Sequence, residues 1–156
     1  MLGSCTNPFA PTLDFSDQSS GTGLSDQKTI DGVFQNFQYA YTFKDTLIYG
    51  QLISSDFLFT YRDYEQSFDV TWGRDEDIKT TFGLFQNSQR LDLIWNEIVL
   101  STIDSLSANV VRSFNLTITF NPTDVVRLDG RVNLSLKKNV ADEKWQINNW
   151  IDESNF

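Results

Sequence analysis

The strongest constraint on the fold is the alternation of apolar and polar residues in the second half of the chain. Residues 112–120 alternate without a break, and residues 126–136 do so again after the turn at 122–124. This pattern is typical of an antiparallel sheet that is packed on one face and wet on the other. Residues 90–101 are apolar on both faces, which predicts a central strand covered on both sides for part of its length. Residues 145–152 form the last predicted strand.

The first half of the chain predicts three helices and a hairpin. Apolar residues recur on one helical face from Ile30 to Tyr41, and a second short helix is predicted for 46–53. Residues 57–63 and 68–72 alternate on either side of a short link, as the two strands of a hairpin do. The acidic run 75–77 opens a third helix, where carboxylates suit the positive end of the helix dipole. The predicted order is therefore α-α-β-β-α-β-β-β-β, an α+β domain.

The composition excludes several kinds of chemistry. The 156 residues include 12 Lys and Arg against 21 Asp and Glu, a net charge of −9, so we expect no nucleic-acid partner. The chain has no His, which removes the Ser-His, Cys-His and His-metal sites. Its single Cys forms neither an intrachain disulfide nor a multi-thiolate metal site. No nucleotide-binding motif is present and the acidic run lacks the spacing of a calcium loop, so we expect no cofactor and no metal.

The N-terminal residues differ in character from the rest. Leu2-Gly3-Ser4-Cys5 resembles a bacterial lipobox, and residues 6–28 are polar and rich in Gly and Ser, as a flexible tether is. The resemblance implies that Cys5 is lipidated and is the only membrane contact. Because Thr6 follows rather than an Asp, it also implies an outer-membrane lipoprotein that faces the periplasm. The alternative is a free cysteine in a flexible tail. We divide the chain into a tether, residues 1–27, and a domain, residues 28–156.

The predicted domain resembles the NTF2-like fold, a cone-shaped α+β family that includes ketosteroid isomerases, SnoaL-type cyclases and small binding proteins. The resemblance covers residues 28–156. It rests on short motifs in the first helix, the first strand and the closing strand: Phe37-Gln38-Tyr39-Ala40-Tyr41 followed by Lys44-Asp45 and Tyr49, Ser55-Asp56-Phe57-Leu58-Phe59, and Trp145-Gln146-Ile147 followed by Trp150 and Asp152. It implies three helices packed on a curved, mainly antiparallel six-stranded sheet, with a pocket at the wide end of the cone.

The resemblance also implies a candidate catalytic pair. In the ketosteroid isomerases the general base is an Asp near the end of the first strand, and Asp63 matches that position approximately. Those enzymes also use a Tyr of the first helix and a protonated acid as an oxyanion hole. Tyr39 or Tyr41 matches the Tyr, whereas no residue matches the second acid. The alternative is that Asp63 begins the turn after its strand and is solvated.

Two charged residues in the long strands form a second candidate site. Glu97 shares a face with Trp95, and Arg112 shares a face with Phe114. If their strands are neighbours, the two charges meet at the mouth of the cone, where the guanidinium could hold a ligand carboxylate through two hydrogen bonds. The alternatives are an internal ion pair or a strand-end Arg in water.

Aromatic side chains are the candidates for the wall of the pocket. Tyr61, Trp95 and Trp145 lie on apolar faces and are predicted ligand contacts, with core packing as the alternative. Strict alternation from Trp145 places Trp150 on the outer face of the sheet, where it would indicate a dimer interface. A bulge at Asn148-Asn149 would return Trp150 to the inside.

These features support three hypotheses for function. The first is an envelope-anchored, non-catalytic module that binds a small hydrophobic or aromatic ligand or a partner protein. The second is a His-free acid–base enzyme of the isomerase or dehydratase type, with Asp63 as the base and Tyr41 as the acid. The third is a purely structural domain that forms a homodimer. The lack of His disfavours the enzyme, because it removes the usual base with a near-neutral pKa.

Overall fold

The computed structural model describes residues 23–153, and this part of the chain contains the predicted elements in the predicted order. The helices are α1 (Ile30–Phe43), α2 (Thr46–Leu52) and α3 (Arg74–Asn87). The strands are β1 (Ile53–Asp63), β2 (Phe68–Gly73), β3 (Arg90–Ile103), β4 (Ser107–Asn121), β5 (Asp124–Lys138) and β6 (Trp145–Asp152). The α+β prediction is confirmed. Strands β3 to β5 are longer than their sequence patterns indicated.

The strands form one sheet in the order β2-β1-β6-β5-β4-β3. Strands β1 and β6 are parallel, and every other neighbouring pair in the sheet is antiparallel. The closing strand β6 therefore lies between the first hairpin, β1-β2, and the meander formed by β3, β4 and β5. This arrangement is the mainly antiparallel six-stranded sheet that the sequence predicts.

The helix ends follow from local side-chain chemistry. The hydroxyl of Thr29 accepts a hydrogen bond from the Gly32 amide at 2.9 Å and caps α1. Lys44 ends this helix in the left-handed region with φ of 53°, and Asp45 then caps α2 by accepting from the Ile48 amide at 3.0 Å. No helix within residues 23–153 is long and apolar enough to cross a membrane.

The core lies between the helices and the inner face of the sheet. Its large, fully buried side chains come from both layers, and α1, α2 and β1 supply the aromatic ones. They are Phe34, Phe37, Tyr49, Leu52, Ile53, Phe57, Leu91, Leu134, Leu136 and Ile147. Burial of this apolar surface is the main stabilising contribution to the fold.

Strand β3 is an edge of the sheet, so the prediction of a central strand for residues 90–101 is wrong. Helix α1 covers its first half, where the Gln38 side chain donates to the Leu93 carbonyl at 2.8 Å. In its second half, the apolar residues that suggested a second neighbour are exposed to solvent. Apolar residues on both faces of a strand are typical of a covered strand, but they do not show whether a neighbouring strand, a helix or another molecule covers it.

Trp150 points to the inside of the domain because β6 contains a bulge. The pairing of β5 with β6 shifts between Ser135–Asn149 and Leu136–Ile147, which leaves Asn148 as the extra residue. The indole of Trp150 packs edge-on against Phe37 at 5.5 Å and Phe59 at 5.0 Å between ring centroids. The bulge alternative is therefore confirmed, and Trp150 gives no support to a dimer interface on the outer face.

Candidate functional site

A cavity of about 140 Å³ lies between the second half of α1 and the inner face of strands β3 to β6. Its walls are mostly apolar, and aromatic rings from four elements take part in them. The lining consists of Phe37 and Tyr41 from α1, Leu93 and Trp95 from β3, Phe114 and Leu116 from β4, Leu128 and Val132 from β5, and Trp150 and Asp152 from β6. Each strand contributes alternate residues, because only every second side chain of a strand faces inward.

The volume of the cavity limits what it can hold. An apolar cavity of roughly 150 Å³ accommodates benzene, whereas pockets for drug-sized ligands have roughly 300–1,000 Å³. A cavity of about 140 Å³ therefore suits a compound with a single ring. Phe37 meets Trp95 and Trp150 edge-on at 5.3 and 5.5 Å, so the aromatic wall is already packed ring against ring.

Two ionisable side chains, Tyr41 and Asp152, share this cavity. Burial raises the pKa of the Tyr41 hydroxyl well above its ordinary value of 10.0, and the carboxylates of Asp77 and Asp152 raise it further. Tyr41 therefore stays protonated at physiological pH and offers a neutral O–H donor. Asp152 is half-buried at the end of β6 and brings a carboxyl group to the same space.

Trp150 lines the cavity and carries a polar group, its indole N–H. This group is buried and has no hydrogen-bond partner within residues 23–153. Most buried N–H groups in proteins are paired, so an unpaired one beside a cavity is unusual. Trp95 differs, because its indole N–H donates to the Phe34 carbonyl of α1 at 3.0 Å.

Arg112 lies beside the cavity, in register with Val132, which in turn pairs with Asp152. Arg112 and Asp152 thus stand on one row of the inner face, on either side of Val132. The guanidinium carbon lies 4.9 Å from the centre of the Phe34 ring, and the Nε atom donates to the Asn96 carbonyl at 2.9 Å. Partial burial lowers the pKa of Arg112, while Asp31 opposes that shift.

Glu97 and Arg112 do not form the ion pair that the sequence suggested, since no contact within 4 Å joins their charged atoms in the described part of the chain. The pairing of β3 with β4 is irregular between Trp95 and Ile98, and this bulge interrupts the alternation that placed Glu97 beside Trp95. Glu97 is exposed, and Arg112 packs against aromatic rings instead.

Asp63 lies at the tip of the β1-β2 hairpin, away from the residues that line the cavity. One of its carboxylate oxygens accepts hydrogen bonds from the amides of Glu65 and Gln66 at 3.0 and 3.1 Å. This is the role of a turn residue, the alternative that the sequence left open. The carboxyl group that shares the cavity with Tyr41 is that of Asp152, which was not predicted as a base from the sequence.

The remaining predicted site residues pack against other side chains of the protein and do not line the cavity. Tyr61 packs against Phe59 and Trp72 outside the cavity, with ring centroids 5.9 and 5.5 Å away. Trp145 is a buried core residue at the start of β6. Tyr39 packs against Phe43 at 4.6 Å rather than lining the cavity. Of the predicted site residues, Tyr41 and Trp95 line the cavity, and Arg112 lies beside it.

Cys5 lies outside the described residues. Within residues 23–153, no three Asp, Glu, Cys or His side chains converge in a way that could hold a metal ion.

The buried carboxylate of Asp77 was not predicted from the sequence. It is 4% exposed; its two oxygens accept from the Tyr49 hydroxyl at 2.6 Å and from the Trp72 indole N–H at 3.0 Å. Burial raises the pKa of Asp77, and the two hydrogen bonds oppose this shift. A spacing of four residues places Asp77 on one face of α3 with Thr81 and Phe85, and this periodicity was the signal that could have identified it.

Comparison with known proteins supports the architecture. No protein-family model matches the sequence, and no curated protein matches it. Solved structures match most of the chain. A candidate scytalone dehydratase from Novosphingobium aromaticivorans has 17% identity and a TM-score of 0.69, covering 81% of this chain and 82% of that chain. A candidate dehydratase of the NTF2-like family from Streptomyces avermitilis has 11% identity and a TM-score of 0.65, covering 84% and 96%.

A third similar structure, a protein of unknown function with a cystatin-like fold from Nostoc punctiforme, has 14% identity and a TM-score of 0.62, covering 85% of this chain and 94% of that chain. At such identities the likeness shows the fold alone. The domain has the NTF2-like, or cystatin-like, fold: three helices on a mostly antiparallel six-stranded sheet.

Proposed function

We propose that this domain is a non-catalytic binding module for a small, largely apolar ligand with one ring. The observation that carries the proposal is the cavity of about 140 Å³ under α1, with its aromatic and aliphatic lining. Flat rings stack well against Trp95, Phe114 and Trp150, which supply large contact areas. The Tyr41 hydroxyl supplies a donor for an oxygen on such a ligand.

The test is a binding screen of the full chain with benzene, phenol and cyclohexanol, read by isothermal calorimetry. We expect phenol to bind most tightly of the three. Unlike benzene, it can accept a hydrogen bond from Tyr41, and unlike cyclohexanol, it has a flat ring that stacks against the aromatic walls. Leu128 lines the cavity and is half-buried, so Leu128→Trp should fill the space and weaken binding at least about tenfold.

Val125 provides the matched control, since it lies on the same strand, is exposed and does not line the cavity. Val125→Trp should leave the affinity unchanged. Equal affinity in the Leu128→Trp and Val125→Trp proteins would show that the probes bind elsewhere. Absence of binding by all three probes would rule out a cavity ligand of this class.

A second candidate function is acid–base catalysis inside the same cavity. The observation in its favour is that Tyr41 and Asp152 share the space, with the phenol held in its protonated form. Two similar structures carry dehydratase names, which agrees with this type of reaction. A bound compound that is recovered chemically changed, but unchanged from an Asp152→Asn protein, would favour the enzyme over the binding module.

We further propose that the domain is anchored to the bacterial envelope through Cys5 and faces the periplasm from the outer membrane. The lipobox-like residues 2–5 and the polar residues that follow support this location. Metabolic labelling with a fatty-acid analogue should mark the wild-type protein and leave a Cys5→Ser variant unlabelled. Equal distribution of the two proteins between soluble and membrane fractions would contradict the anchor.

A further inference from the structure

The second half of β3 presents an apolar edge to solvent. Ile98, Val99, Leu100 and Ile103 are 44 to 57% exposed. Residues 98–103 contain no charged side chain. Edge strands of soluble proteins are usually short, charged or interrupted by Pro, because their free N–H and C=O groups otherwise pair with another strand. The opposite edge follows that rule, since β2 has only six residues and carries Asp69.

The exposed side chains occupy both faces of this edge. Ile103 pairs with Ala108, which belongs to the buried core, so it lies on the inner face of the sheet. Leu100 pairs with Val111, the neighbour of the core residue Val110, so it lies on the outer face. A partner packed on one face of the sheet would cover only one of these sets. A strand added at the edge covers both, because cross-strand side-chain pairs form on both faces.

Helix α1 leaves this part of the edge uncovered. Its contacts with β3 through Gln38 and Trp95 involve residues before Asn96. In an antiparallel sheet every second residue of an edge strand directs its N–H and C=O away from its neighbour. The apolar half of β3 thus offers both backbone hydrogen-bonding groups and side-chain contacts to an incoming strand.

We propose that β3 pairs with β3 of a second copy of this chain, antiparallel and edge to edge, so that two six-stranded sheets form one sheet of twelve strands. Such a two-fold contact is self-complementary, because each copy presents the same patch. The absence of charge in residues 98–103 means that two acidic proteins meet here without like charges opposite each other. This inference is independent of the proposed ligand and its cavity.

The size of the patch agrees with a dimer. Four half-exposed branched side chains correspond to an apolar patch of the order of 300–600 Å², a size at which the largest patch of a monomer is often functional. Two such patches, together with the paired backbone, bury about the 1,000 Å² that a specific interface needs. A strand from a different protein would use the same backbone groups, but it would leave the purified chain monomeric.

Sedimentation velocity of the full chain at tens of micromolar tests the proposal. We expect a dimer for the wild type and a monomer for Leu100→Lys, because a charged edge residue blocks strand addition. Phe68→Lys is the matched control: Phe68 is a similarly exposed apolar residue on the opposite edge strand, and this variant should remain dimeric. Deuterium exchange should also protect the amides of residues 98–103 in the wild type relative to Leu100→Lys. A monomeric wild type, or a dimer that survives Leu100→Lys, would overturn the proposal.

Discussion

Truncation of Phe37 to alanine should lower the free energy of unfolding by about 3–5 kcal/mol. Phe37 is fully buried at the centre of the aromatic core, and its ring contacts Tyr41, Tyr49, Trp95 and Trp150 at centroid distances of 5.3 to 5.8 Å. Removing it takes one ring contact from each of these four side chains and leaves a void that the rigid sheet does not fill. Urea unfolding followed by Trp fluorescence measures the change.

Phe82 is the control for this substitution. It is a phenylalanine of α3 that is 46% exposed, so Phe82→Ala removes the same atoms from a largely solvated position. We expect a loss below about 1 kcal/mol for Phe82→Ala. Similar losses in the two variants would contradict the view that Phe37 is the centre of the core.

The Phe37→Ala protein should also respond to ligands more strongly than the wild type. Phe37 lines the cavity, so its loss extends the apolar space by about one aromatic ring. Benzene should therefore raise the melting temperature of Phe37→Ala more than that of the wild type, because a ligand that binds only the folded state stabilises it.

Replacement of Asp77 by leucine should cost about 2–6 kcal/mol, since it leaves the Tyr49 hydroxyl and the Trp72 indole N–H without their acceptor. That loss is a large part of the total stability of a typical domain, which is about 5–15 kcal/mol. Asp77→Asn is the matched variant of nearly the same shape. Its amide oxygen can accept from Trp72 and its amide N–H can donate to the Tyr49 oxygen. The Tyr49 O–H can then donate to its other partner, Thr81, so Asp77→Asn should unfold at nearly the wild-type denaturant concentration at neutral pH.

The same pair of proteins should differ in pH dependence. The pKa of Asp77 in the folded protein lies above its ordinary value of 3.8, so the folded state binds this proton more tightly than the unfolded state does. The contribution of Asp77 to stability is therefore greatest below the ordinary value and falls as the pH rises through the raised folded pKa. The unfolding free energy of wild type minus that of Asp77→Asn should decrease through this window. A flat difference would contradict a raised pKa.

The sequence was sufficient to predict the order of elements because the periods of its apolar residues differ clearly between helices and strands. It was not sufficient to predict the inner surface, because single-residue bulges change which side chains face inward. The bulge at Asn148 brings both Trp150 and Asp152 to the cavity, and the bulge after Trp95 separates Glu97 from Arg112. Asp63 was predicted as the base from its position near the end of the first strand, whereas in the structure its carboxylate accepts hydrogen bonds from the amides of a turn.

The order of the strands has a consequence for how the domain is made. Strand β6 joins the β1-β2 hairpin to the meander, and β6 is the last element of the described chain to leave the ribosome. Until β6 emerges, β1 and β5 are both unpaired edge strands, because β6 is the neighbour of each in the finished sheet. The nascent chain must therefore keep two incomplete sheets apart, each with an open apolar face, until β6 joins them.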